Sequence, residues 1–283
     1  MKKFTYIIAT LCVVAISTAI FIGCEKEIDK VNDVNNKIIQ KDNPIVNPFD
    51  EAGIIHNACM DTILNHPDKF TMSDSERFDI VQFCLSSRMG NDFVQISRAN
   101  YQNNTDAACT YVDNNNTVQT IIELGESGKL DTAFSSQYIT RNNYTILHEL
   151  FSYIDNYTCN SENDLLAIYN LAVDYEQEIL SNYYSLIDNG IIVSETQALY
   201  SEYKTTLMCM SVCKYSAYWW YINAYYLTNI KPTLPFEKLF ELQCIDWAAT
   251  TNAMEAGYTS EEGYQHGTES SNAKGAGEYF FQN

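Results

Sequence analysis

Basic residues are scarce in this chain. Seventeen Lys and Arg stand against 36 Asp and Glu, a formal charge of −19 over 283 residues. Such a surface repels polyanions, so DNA, RNA and anionic lipid faces are excluded as partners. Turn residues are scarce too. Eleven Gly and five Pro are too few for the many turns of an all-β sandwich. No long apolar run follows the N-terminal one, so the chain beyond it is expected to be water-soluble. Cysteine is present without a framework. Past Cys12 and Cys24, it occurs at 59, 84, 109, 159, 209, 213 and 244. Seven thiols cannot all pair within one chain, and their scatter fits small buried residues of helices. One or two disulfides are compatible with export, and spacing does not choose among them.

What is present begins at the N-terminus. Lys2 and Lys3 precede an apolar run from Tyr6 to Ile22, interrupted by Thr10, Ser17 and Thr18. It ends in Phe21-Ile22-Gly23-Cys24, followed by Glu25-Lys26-Glu27. A positive n-region, an apolar h-region and a small residue at the cut make a signal peptide, not a retained anchor. The segment resembles a bacterial lipoprotein signal with its lipobox. That resemblance implies cleavage after residue 23, lipidation of Cys24 (palmitate among its acyl chains) and attachment to a membrane by lipid alone. Losing Lys2 and Lys3 takes the charge from −19 to −21. The acidic residues after Cys24 resemble the sorting signals that send Bacteroidota lipoproteins to the outer face of the outer membrane. Asp61-Thr62-Ile63 and Asp131-Thr132-Ala133 resemble O-glycosylation acceptors of those bacteria.

Residues 24–46, polar and rich in Asn, Lys and Asp, read as a flexible tether. The folded domain is expected over 47–256, with a polar tail at 257–283. Its length, about 240 residues after the tether, suits one larger or two small domains. Helical periodicity dominates. Ile54, Ile55, Cys59, Ile63 and Leu64 mark one face of a first helix ahead of Pro67. Ser73-Asp74-Ser75-Glu76 is a capping box, and its helix runs to about Met89, with Gly90 as the stop. Residues 100–116 read as a loop, 118–124 as a short helix and 134–157 as another. Leu165 to Leu186 carries apolar residues at three- and four-residue steps after a cap at Asn160 or Ser161. Ser194-Glu195-Thr196-Gln197 reads as a second capping box, opening a long helix to about Leu227. Phe236 to about Ala256 forms the last. Long helices with short connections predict an all-α antiparallel multi-helix bundle.

Several constellations invite a chemical reading. His148-Glu149 lacks the second His that a zincin helix needs at residue 152, which is Ser. An interior His–Glu pair is the expectation there. Gly125-Glu126-Ser127-Gly128-Lys129 has Glu123 where a phosphate loop needs Gly, and reads as a turn. Cys209 and Cys213 lie one helical turn apart without a third ligand. Tyr215, Tyr218, Trp219, Trp220, Tyr221, Tyr225 and Tyr226 encircle one helix. They read either as a stacking surface for a glycan or protein partner or as a helix buried on several sides.

The most motif-like segment is Asn47-Pro48-Phe49-Asp50-Glu51-Ala52-Gly53-Ile54-Ile55-His56-Asn57. It resembles the Asn-Pro-aromatic-Asp-x-x-Gly-x-x-His-Asn opening of mostly helical lipoproteins and exported proteins of Bacteroidota. The resemblance implies a helical fold and no particular activity. Asp246-Trp247-Ala248-Ala249 resembles, in shortened form, the small-residue final helix of that group. Two roles account for the motif. Asp50 and His56, with Asn57 or His148, could form an acid/base or metal site. Alternatively, Pro48 starts the helix, Asp50 caps it, Gly53 permits close packing and His56-Asn57 satisfy buried backbone groups.

These observations predict a monomeric lipoprotein of the outer-membrane surface with no cofactor or metal. Its expected role is non-catalytic binding through Tyr215, Tyr218, Trp219, Trp220 and Tyr221, with an extracellular protein or glycan as partner. The alternative is a hydrolase using Asp50, His56 and His148.

Overall fold

The computed structural model describes residues 45–69, 71–90, 129–230 and 235–255. Every regular element among them is a helix, so the fold is all-α. In chain order these are α1 (Glu51–Asn65), α2 (Asp74–Met89), α3 (Lys129–Ser135), α4 (Arg141–Asp155), α5 (Glu162–Asp188), α6 (Ala198–Ile230) and α7 (Phe236–Glu255). Cys24, the tether to residue 44, the loop at 100–116, the helix at 118–124 and the 257–283 tail lie outside the described residues.

Local chemistry sets the helix boundaries. Ser73 and Glu76 form the expected capping box. The Glu76 carboxylate accepts from the Ser73 N–H and hydroxyl, both at 2.7 Å. These bonds, the backbone one first, hold the Glu76 carboxyl below its usual range. Gly90 stops α2 at φ +57°, a conformation that only glycine adopts freely. At the start of α5, Asp164 accepts from the Asn160 N–H and the Ser161 hydroxyl at 2.9 Å each. Its negative charge suits the positive end of that helix.

Two expectations are corrected. The helix expected over 134–157 is split: α3 closes at Gln137, which sits at φ +62°, and Thr140 caps α4 by accepting from the Asn143 N–H. Ser194–Gln197 folds as a turn ahead of α6 and does not cap it. The Gln197 side chain accepts from the N–H groups of Val193 and Ser194. The Ser194 hydroxyl accepts from the Thr196 N–H and not from that of Gln197, so the half of a capping box that the Ser side chain supplies is missing.

The architecture is organised around α6. Its 33 residues span about 50 Å at the α-helical rise. Apolar residues occupy nearly its whole circumference, a pattern that belongs inside a protein. Accordingly α5, α1 and α7 all pack against it. Contacts along α5 give the direction of that pair: Tyr183 meets Tyr200 and Tyr203, while Tyr169 meets Tyr218. α5 and α6 are therefore antiparallel, as a nine-residue connection between long helices favours. α4 packs on α5, and Asn143 reaches past it to Thr206 of α6. α2 packs on α1, and α3 on α4 and α7.

The α1–α6 seam as candidate functional site

Asn47 donates to the Leu207 carbonyl at 3.0 Å. The Gly53 N–H donates to Ser211 Oγ at 3.0 Å, and Asn57 to the Tyr215 carbonyl at 2.8 Å. Trp219 Nε1 donates to Asp61 at 2.5 Å. Positions 53, 57 and 61 thus meet 211, 215 and 219 in matched four-residue steps. α1 and α6 run parallel, which corrects the purely antiparallel expectation. The roughly 130 residues between them in sequence leave their relative direction free of any hairpin constraint.

Gly53 makes this seam possible. A Cβ there would sit 2.5 Å from both the Ser211 carbonyl oxygen and a Tyr215 ring carbon. The close approach lets Ser211 of α6 serve the first turn of α1: its hydroxyl accepts from the Gly53 N–H and donates to the Asp50 carbonyl at 3.1 Å. Asp50 occupies the N-cap of α1 but makes no side-chain capping bond. Its carboxylate turns instead to Lys214.

Two polar centres are built along the seam. In the first, Lys214 Nζ lies 2.7 Å from Asp50 Oδ1 and 2.7 Å from Glu176 Oε2. Asn47 donates to the other Glu176 oxygen at 2.7 Å. Burial alone would depress the Lys214 ammonium, but the Glu176 and Asp50 carboxylates outweigh it and raise its pKa above the usual lysine value. Burial raises the Glu176 carboxyl, opposed by Lys214. The ammonium also stands 5.0 Å from the centroid of the Tyr215 ring, within cation–π range.

The second centre surrounds Asp246 of α7. One of its oxygens accepts from Ser216 Oγ at 2.6 Å and Trp220 Nε1 at 2.8 Å. The other faces His56 Nε2 at 3.8 Å. His56 Nδ1 lies 3.1 Å from Asn57 Oδ1. Because the Asn57 amide nitrogen is committed to the Tyr215 carbonyl, its oxygen accepts and His56 Nδ1 donates. His56 and Asp246 are both wholly inaccessible to solvent. The Ser216 hydroxyl donates to Asp246, so Ser216 is not arranged as a nucleophile on a histidine base.

Asp50 and His56 therefore belong to adjacent but separate networks. His148, the third member of the expected acid/base set, is exposed on α4 with its ring 5.8 Å from that of Tyr144. The interior His148–Glu149 pair is likewise corrected: Glu149 is exposed and bonds Tyr175 of α5. The aromatic surface is relocated. Tyr215, Tyr218, Trp219 and Trp220 are buried, because three helices cover that stretch of α6, and Tyr221 is half-buried. Solvent reaches Ile222, Tyr225 and Tyr226, one to two turns further on. Cys209 and Cys213 are free thiols buried on α6 and hydrogen-bonded to each other, and burial pushes the Cys213 thiol far up. Among the described residues no three His, Cys, Asp or Glu are grouped to hold a metal. None of the described helices is long and apolar enough to cross a membrane. Thr62 of the first glycosylation-like triplet lies within α1, its hydroxyl bonded to the Ala58 carbonyl, whereas Thr132 of the second is exposed on α3.

Glu176, Ser211, Lys214 and Ser216 stand outside the motifs of the sequence, and Asp246 enters there only through the resemblance of the final helix. Their signal is a polar residue in phase with an apolar stripe. Glu176 falls in register with Leu165, Ile168, Ala172, Ile179 and Tyr183, all buried on α5. Lys214 is the one charged residue between 205 and 230. A charge in such a position requires a partner.

No family model, curated protein or solved structure matches this chain.

Proposed function

We propose that this chain is a lipoprotein of the outer-membrane surface: an antiparallel bundle, with α1 as its parallel exception, carried on a tether from lipidated Cys24. Its role in this reading is non-catalytic binding at the cell envelope. The observation that carries it is the use made of the motif. Asn47, Asp50, Gly53, His56 and Asn57 are all engaged with α5, α6, α7 or one another, and His56 is sealed from solvent. Groups that would carry acid/base chemistry are thus committed to joining helices, which supports a rigid scaffold over a reacting site.

The contact surface in this reading is the exposed end of the aromatic segment: Tyr221, Ile222, Tyr225 and Tyr226. Exposed tyrosines combine a large apolar area with a hydroxyl and suit protein or glycan contacts. Ile45 and Val46, the last residues of the expected tether, are held on α5. The Gln177 side chain accepts from the Ile45 N–H at 2.9 Å and donates to the Ile45 carbonyl at 2.8 Å. The Tyr184 hydroxyl donates to the Val46 carbonyl.

Radiolabelled palmitate incorporation lost in Cys24→Ala, with protease shaving of the wild-type chain from intact cells, tests anchor and address. A glycan array and a panel of extracellular-matrix proteins, probed with wild type and with Tyr225→Ala/Tyr226→Ala, test the surface. At least tenfold weaker binding by the double variant supports it. The hydrolase alternative would gain from one equivalent of metal that disappears in His56→Ala.

A further inference from the structure

Cys59 of α1 and Cys84 of α2 are buried at the packing surface between those helices, and their side chains are hydrogen-bonded to one another. Thr62, one turn after Cys59, places its Oγ1 3.4 Å from Cys84 Sγ. The two thiols are thus juxtaposed across a helix pair, each on a different helix, where bridging closes a loop. Cys209 and Cys213, by contrast, share one helix. We propose that Cys59 and Cys84 are a redox-joined pair, forming a disulfide that staples α1 to α2 when the chain meets a dithiol–disulfide exchange oxidant.

In the closed helix pair the hydrogen bond from Cys59 draws the Cys84 thiol down to about 7 against the opposing effect of burial, with smaller help from the Thr62 hydroxyl and the Arg88 charge. Before the pair closes those contacts are absent, and an ordinary thiol, titrating at about 8.5, supplies enough thiolate near neutral pH to attack. The Cys84 thiolate attacks one sulfur of the oxidant's disulfide, giving a mixed disulfide and releasing the oxidant's other sulfur as thiolate. The Cys59 thiolate then displaces the oxidant from Cys84. The two cysteines lose two electrons and two protons in total, and the oxidant's disulfide is reduced to a dithiol. Cys59 is inaccessible and Cys84 nearly so, so attack takes place before α1 and α2 have closed on each other, as the chain folds. This timing suits a protein that folds outside the cytoplasm, and to that extent the proposal rests on the export reading above.

The test refolds the full chain from urea in reduced and oxidised glutathione at graded ratios, followed by alkylation and non-reducing peptide mass spectrometry. The expected product is one cross-link joining the Cys59 and Cys84 peptides, lighter by two hydrogens. The oxidised chain should melt about 5–10 °C above the reduced one, since bridging a loop of this length restricts the unfolded chain. Cys59→Ala/Cys84→Ala should lose the redox-dependent shift, while Cys209→Ala retains it. Both thiols free in excess glutathione disulfide, or either joined to another cysteine, would overturn the proposal. Acid-quenched alkylation in cells separates it from the export reading. A pair joined in vitro but reduced in cells would overturn export and leave the pair standing.

Discussion

The two polar centres on the seam solve the same problem in different ways. Asp50, Lys214 and Glu176 join full charges near the rim, where the Asp50 side chain keeps 22% of its exposure. Asp246 lies wholly inside and is met by a hydroxyl and an indole N–H, with an imidazole beyond hydrogen-bond length. Charge pairing in the first centre ties the start of α1 and the middle of α5 to one ammonium on α6. Hydrogen bonding in the second fixes how α7 sits on α6. The first is a set of reciprocal charges and fails when one is removed. The second is a single anion whose donors would be orphaned by its loss.

The largest effect is expected where one charge of the rim centre is deleted. Lys214→Met should destabilise the domain by about 3–5 kcal/mol, because Glu176 stays buried without its cation. Adding Glu176→Gln should recover much of that loss, and a double-mutant cycle in urea measures the coupling. Asp246→Asn sharpens the contrast. It keeps an acceptor for Ser216 or Trp220 but loses the charge, so a smaller loss of about 1–3 kcal/mol is expected. A loss equal to that of Lys214→Met would erase the distinction between the centres. Gly53→Ala forces α1 away from Ser211 and Tyr215 and should cost about 1–3 kcal/mol by overpacking, read as a lower urea midpoint.

Alkaline titration probes the groups around α6 without mutation. Burial holds the Tyr183 and Tyr218 hydroxyls up to about 12, against 10.0 ordinarily. Lys214 is also raised above its ordinary 10.5. Raised folded-state values bind protons more tightly than the unfolded chain does. Their stabilisation is complete below pH 10 and is lost as pH rises from about 10 to 12 and beyond. The urea midpoint should be flat with respect to these groups below pH 10 and fall above it. The smallest expected change has the opposite sign. Gln243 of α7 is buried with neither amide atom hydrogen-bonded. Gln243→Met should therefore stabilise by about 1 kcal/mol, since an unpaired buried amide is replaced by an apolar chain of similar size.

Much of the fold was legible because it is written in local patterns. The apolar stripe of α5, the Ser73–Glu76 box and the Gly90 stop each depend on residues within a few turns of one another. The Ser194–Gln197 spacing suits a capping box or a turn equally, and the outcome depends on which N–H the Ser hydroxyl takes: that of the third position, as Ser73 takes from Glu76, or an earlier one, as Ser194 takes from Thr196. The candidate site was half legible. The motif located α1, and its packing role was weighed on residue type alone. Its partners at 176, 207–220 and 246 were not recoverable from spacing, since a parallel contact across some 160 residues leaves no local signature. The aromatic cluster misled for a related reason. Composition shows that α6 is apolar all round, but only the packing of α1, α5 and α7 shows that the covered stretch ends near Tyr221.

The parallel pairing of α1 with α6 also imposes an order of events. The motif at 47–57 emerges first from any machine that delivers the chain from its N-terminus, yet Leu207 to Tyr215, its docking strip, emerge about 160 residues later. Until then Asn47, Asp50, Gly53 and Asn57 lack the α6 groups that receive them. Contacts of such long sequence separation close slowly, because the intervening chain must be ordered first. The repeated four-residue step along both helices then lets the seam close as a zipper once α6 exists. The N-terminal motif, made before the helices it docks on, is complete only once α6 and, through His56, Asp246 of α7 have followed it.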